Sequence, residues 1–170
     1  MPRYVAFLRG VSPMNAKMPE LKRAFEAAGF TEVKTLLSSG NVVFNARSAS
    51  EKALAQKAEK AMQATLGNSF GTFIRKAEHL QELIAAEPFA EFPLSADDKC
   101  VVTFLEEVPK ALKLPIVLED ARILKIIDRE VLCAYTPGPN GPVFMRLLEK
   151  TFGKKITTRT LDTVKKCAKA

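Results

Sequence analysis

The sequence predicts an α+β protein made of two ferredoxin-like (split βαβ) subdomains, with mixed or antiparallel sheets and helices packed on them. Three observations carry this. Short apolar or alternating runs interleave with segments whose apolar residues recur every three or four positions, the spacings of strand and helix. One stretch, Thr35-Leu36-Leu37-Ser38-Ser39-Gly40-Asn41-Val42-Val43-Phe44, reads as two short strands joined by a polar turn. Glycine at such a turn takes positive φ without a Cβ clash. The order strand, helix, hairpin, helix, with room for a strand afterwards, then recurs after a proline-bearing stretch, which is the order of a split βαβ unit. A lone hairpin is not stable in water, so the rest of each half reads as its cover.

The elements follow in order. Tyr4 to Arg9 is nearly continuous in apolar residues, as a central strand covered on both faces would be. Gly10 to Ala16 is a loop. Lys17 to Gly29 reads as a helix, with Pro19 in its first turn, Leu21, Ala24, Phe25 and Ala28 as its stripe and Gly29 as its stop. Val33–Leu37 and Asn41–Phe44 are the hairpin strands. Ser50 caps a helix to Leu66 whose buried side is Ala53, Leu54, Ala58, Ala61, Met62 and Leu66, and Gly67 ends it. Thr72–Arg75 is a strand and Ala77–Glu87 a helix stopped by Pro88. Residues 91–98 are the expected linker between subdomains at 1–90 and 99–170. Lys99–Leu105 is a strand, and Val108–Leu114 a short helix or turn between Pro109 and Pro115. Ala121–Asp128 and Val131–Tyr135 form a second hairpin, and residues 137–142 a loop. Val143–Phe152 is an apolar-striped helix, and Thr160–Lys169 a last helix capped by Thr160.

Composition narrows the function classes. The chain of 170 residues, 47% apolar and 26% charged, is long enough for one good core or two small ones. No apolar run approaches the roughly 20 residues that span a bilayer. The first residues lead straight into a strand pattern rather than a leader sequence, so a cytoplasmic protein with no membrane partner is expected. Cys100, Cys133 and Cys167 are odd in number and widely spaced, which suits reduced thiols and no metal site. A net charge of +7 and a pI near 9.4 suit an anionic partner, either a small molecule or nucleic acid. Solubility alone accounts for such a charge equally well.

Three segments together point to a family. Val5-Ala6-Phe7-Leu8-Arg9-Gly10 opens the chain, Ser39-Gly40-Asn41-Val42-Val43-Phe44 makes the hairpin, and Thr158-Arg159-Thr160-Leu161-Asp162-Thr163-Val164 lies near the end. With these the chain resembles the bacterial family known as domain of unknown function 1697, as a divergent member. That family's pattern has a glycine-rich loop after the first strand; here the loop holds Pro13-Met14-Asn15-Ala16. Leu36 and Ser38 stand where the pattern has Tyr and Gln, and Leu161 where it has Trp. The resemblance implies two ferredoxin-like subdomains and no activity.

The candidate ligand-binding residues are Arg9, Ser39, Gly40, Asn41, Thr158, Arg159 and Thr160. Arginine at a strand end anchors a carboxylate or phosphate, and it equally pairs with an acid of the protein's own. The Ser39–Asn41 turn offers hydroxyl and N–H groups to an anion, although local chemistry favours a plain hairpin turn. Thr158–Thr160 precede a helix, where free N–H groups and an arginine suit a phosphate; simple capping is the commoner use. Lys154, Lys155, Lys165, Lys166 and Lys169 make this end the most basic region.

No catalytic residue and no cofactor is indicated. His79 is the sole histidine, no phosphate-binding or dinucleotide fingerprint occurs, and a Cys100–His79 dyad lacks any supporting motif. The paired acids Asp97-Asp98, Glu106-Glu107 and Glu119-Asp120 suit solvated loops. Three readings follow: a non-enzymatic binding protein with an anion-preferring surface, a salt-sensitive nucleic-acid binder acting through its basic end, and an enzyme on a small phosphorylated or acidic substrate.

Overall fold

The structure, a computed structural model, describes residues 1–138 and 143–170. The expected loop at 137–142 therefore lies, from 139 to 142, outside the described residues. The elements are β1 (Arg3–Leu8), α1 (Met18–Ala27), β2 (Thr31–Leu36), β3 (Asn41–Asn45), α2 (Glu51–Leu66), β4 (Thr72–Lys76), α3 (Ala77–Ala85), β5 (Lys99–Leu105), β6 (Ile116–Leu118), β7 (Ala121–Ile127), β8 (Glu130–Tyr135), α4 (Val143–Phe152), β9 (Ile156–Thr160) and α5 (Leu161–Lys169). The chain is thus α+β, with two antiparallel sheets and five helices among the described residues. It divides into two compact units, Met1–Leu83 with Lys165–Ala170, and Ile84–Val164.

In the first unit the strand order is β2-β3-β1-β4, every neighbour antiparallel. Strand side chains alternate between faces, so Tyr4, Ala6 and Leu8 of β1 share one face. They join Val42 and Phe44 of β3, Ile74 of β4, Leu21 and Phe25 of α1, and Leu54, Ala58 and Met62 of α2 in one core. The Phe44 ring organises it, stacking on Phe30 at 4.3 Å and on Tyr4 at 5.8 Å between centroids. Val5, Phe7, Val43 and Phe73, on the opposite face, are buried as well. β1 is therefore buried on both sides, as its unbroken apolar run predicts. Helix α2 shows why its boundaries were readable. The Ser50 hydroxyl accepts the Ala53 N–H at 3.1 Å, and Gly67 closes the helix at φ +73°.

In the second unit the order is β6-β7-β8-β5-β9, again antiparallel throughout. Its core joins Val101 and Leu105 of β5, Ile123 of β7, Val131 and Cys133 of β8, and Phe144, Leu147 and Leu148 of α4. One expectation is corrected here. Residues 108–114 form no helix: the five residues between Pro109 and Pro115 are too few to nucleate one, and Pro115 interrupts the amide series. The chain instead enters the edge strand β6, which pairs with β7. The segment before the last helix is strand β9. Its β-branched residues lie along β5, from Leu105↔Ile156 to Val101↔Thr160. No described helix is long and apolar enough to cross a membrane.

Candidate functional site

The first group of candidate residues lies at one end of the first unit's sheet, where β1 ends and β3 and β4 begin. The Leu8 N–H donates to the Gly40 carbonyl and the Arg9 N–H to the Gly71 carbonyl, each at 2.8 Å. These two bonds hold the chain at the point where it leaves β1. Arg9 is the first residue past the strand and is exposed, whereas the five residues before it are buried. Its side chain makes no hydrogen bond or ion pair with the described residues.

The β2–β3 turn supplies the wall beside it. Asn41 is fully buried, and its Nδ2 donates to the Leu36 carbonyl and to the Ser39 hydroxyl, both at 3.0 Å. The amide thus ties the turn to itself from beneath, while Ser39 is exposed above. Gly40 sits at φ +85°, and a Cβ there would stand 2.8 Å from Val11 Cβ and 3.0 Å from Leu8 Cβ. The β1–α1 loop therefore rests directly on the turn. That loop is bonded within itself: Asn15 Oδ1 accepts the Ser12 N–H and Asn15 Nδ2 donates to the Gly10 carbonyl, each at 2.8 Å. A proline-bearing loop of this kind does by side-chain hydrogen bonds what glycines do by backbone freedom.

The second group, Thr158 to Thr160, belongs to β9 in the second unit. The Thr158 hydroxyl is 2.9 Å from that of Thr103 on β5. Arg159 is buried, and its Nη1 donates to the Thr157 hydroxyl and the Thr158 carbonyl at 2.8 Å. Thr160 caps α5, its hydroxyl accepting the Thr163 N–H at 3.3 Å. The hydroxyls and the guanidinium of this group are thus engaged within the protein. Close to them in sequence, Lys154, Lys155, Lys165, Lys166 and Lys169 are exposed.

Some polar groups escaped the sequence reading. Arg75 and Glu130 are buried within strands. The signal was a single charge inside an apolar run, as in Phe73-Ile74-Arg75. Asp98 is a second case. Its carboxylate accepts the Ser95 N–H at 2.9 Å and the Thr136 hydroxyl at 2.7 Å, and it pairs with Arg122 at 2.9 Å. These bonds, that from Ser95 first, hold its carboxyl well below the usual carboxylate range. All three cysteines are free thiols, and burial pushes that of Cys133 up to about 12. No cluster of potential metal ligands occurs among the described residues.

The family described as "Protein of unknown function (DUF1697)" matches residues 1–129. The chain belongs to this family. A solved structure of "conserved bacterial protein SP0830 from Streptococcus pneumoniae" is similar over 99% of this chain and 97% of that one, with a TM-score of 0.70 and 17% identity. At that identity the likeness speaks for the fold alone. No curated protein matches the chain. The DUF1697 match includes Arg9 and the Ser39–Asn41 turn and ends before β9, so Thr158–Thr160 lie outside the matched residues.

Proposed function

We propose that this DUF1697 protein is a non-enzymatic binding protein whose anion-preferring surface centres on the loop end of the first sheet. The observation that carries the reading is the exposed guanidinium of Arg9, without a partner among the described residues. Guanidinium is permanently charged and presents a planar fork of donors matched to carboxylate and phosphate. Here its backbone is held by Gly71 and its neighbour's by Gly40, which limits the entropy lost when an anion docks. Ser39 is exposed with its hydroxyl accepting from Asn41, whereas Gly40 and Asn41 position the turn. Thr158, Arg159 and Thr160 enter the reading with their polar groups already engaged, so Arg9 dominates it.

Native mass spectrometry of freshly purified protein reports a retained ligand directly. Calorimetric titration with inorganic phosphate then compares the wild type with Arg9→Ala and Arg9→Lys. The expected result is a loss of about tenfold or more for Arg9→Ala, as for other charge-assisted hydrogen bonds, with partial rescue by lysine. Equal phosphate affinity in wild type and Arg9→Ala sinks the reading.

The exposed lysines on and before α5 favour a second reading, nucleic-acid binding through the basic C-terminal region. In that case affinity for mixed single- and double-stranded oligonucleotides falls steeply with salt. Absence of binding at low salt removes it.

The finer fold reading is that each unit is ferredoxin-like. The order β2-β3-β1-β4 with two intervening helices supports it for the first unit. For the second, β7-β8-β5-β9 repeats that order, with β6 in place of the first helix. We take residues 1–90 and 99–170 as the two subdomains, joined by 91–98, and the protein as cytoplasmic; its three free thiols support the location.

A further inference from the structure

We propose a binding site for a small organic cation with a flat apolar body, an arylalkylammonium, at the end of the second unit's sheet. A cavity of about 330 Å³ opens there, where the β6–β7 turn, the end of β8 and the start of α4 converge. That volume lies in the range of small-molecule sites. Its described wall is aromatic and soft: the Tyr135 and Phe144 rings stack at 4.8 Å with 15° between planes, and Met145 is 37% exposed beside them. Stacked rings offer a flat ligand both apolar area and an electron-rich face.

The charge at the mouth selects the sign. Glu119 and Asp120 line the cavity and are exposed. Neither makes a side-chain hydrogen bond or ion pair with the described residues. Two carboxylates at the rim of an aromatic cavity give it a negative mouth in a chain that carries +7 overall. They attract an ammonium while the rings take its aryl group, so the site complements the anion surface proposed for the first unit and does not depend on it.

Both carboxylates also lie near the start of α4, whose first turn has no acid of its own. Acids so placed stabilise a helix through its dipole, and the experiment separates the two roles. Protein labelled with 13C at the methionine methyls is titrated with phenethylamine and, separately, with phenylacetate. The signal of Met145 is assigned through Met145→Leu. Phenethylamine should shift the Met145 methyl saturably, with a dissociation constant on the order of millimolar, as suits a ligand of so few atoms. Phenylacetate at equal concentration should not. The double variant Glu119→Gln/Asp120→Asn should weaken phenethylamine binding by about tenfold, the combined effect of two surface ion pairs. The proposal is overturned if Met145 does not respond, if amine and acid shift it equally, or if the double variant binds as the wild type does. A double variant that only lowers thermal stability assigns the carboxylates to the helix alone, and that outcome overturns it too.

Discussion

Replacing Gly40 by alanine strikes the contact on which the loop end of the first sheet is built. The added Cβ would stand 2.8 Å from Val11 Cβ and 3.0 Å from Leu8 Cβ, neither of which is the free end of a flexible chain. The residue would also be held at φ +85°, where a non-glycine residue costs about 1–2 kcal/mol. Forcing one extra carbon into a packed site costs about 1–3 kcal/mol more. The sum, about 2–5 kcal/mol, is a large share of the 5–15 kcal/mol typical of a folded domain. Gly10→Ala is the control: Gly10 has nearly the same φ, +82°, and nothing within 4 Å of the added carbon. It should carry the backbone cost alone. Urea denaturation followed by tyrosine fluorescence reads the difference. The chain has no tryptophan and two tyrosines, Tyr4 in the first unit's core and Tyr135 in the second unit. A Tyr135→Phe background therefore makes Tyr4 the reporter of the first unit. If Gly40→Ala costs no more than Gly10→Ala, the close approach of Val11 and Leu8 to the turn contributes nothing and the account of this end of the sheet is wrong.

Three further outcomes are expected. Asn41→Ala removes the donor that serves Leu36 and Ser39 from a fully buried position; in the same assay it should cost about 1–3 kcal/mol, and a near-neutral result would contradict the buried tie. Asp98 has a folded-state pKa lowered from 3.8, so its contribution is present above the unfolded value and is lost as pH falls through and below about 4. Asp98→Asn should flatten the acid limb of a stability-versus-pH curve, and an unchanged limb would show the Ser95, Thr136 and Arg122 bonds to be unimportant. The Cys133 thiol, with its pKa raised to about 12 by burial, is neutral at pH 8 and should resist iodoacetamide until the protein unfolds; peptide mapping that finds Cys133 labelled in native protein refutes its placement.

Much of the helical architecture was legible because a helix announces itself locally. The stripe Leu54, Ala58, Met62, the cap at Ser50 and the stop at Gly67 lie within 18 residues of one another and fix α2 together. The hairpin was legible for the same reason, through its apolar flanks and its glycine. The edge strand β6 was not, and β9 was suggested only by the repeated element order. β6 is only three residues long, and β9 reads Ile-Thr-Thr-Arg-Thr, with no apolar alternation to mark it. What makes β9 a strand is its pairing with β5, some 55 residues away in sequence.

Of the candidate site, the sequence picked out polar residues at turns and element ends, because those residue types are chosen by local backbone geometry. It could not say which of them face water. That depends on partners remote in the chain. Arg9 is left exposed because β1 ends one residue before it. Arg159, alike in type and also close to an element boundary, is buried and donates within β9. Asn41, a ligand-binding candidate by its place in the turn, is a fully buried tie. The sequence by itself determined the α+β class, the five helices and the family resemblance, since these rest on local spacing and residue type. Only the tertiary structure decided which charges and hydroxyls remain available to a ligand, because a hydrogen bond or a buried face is a property of two segments and is written in neither alone.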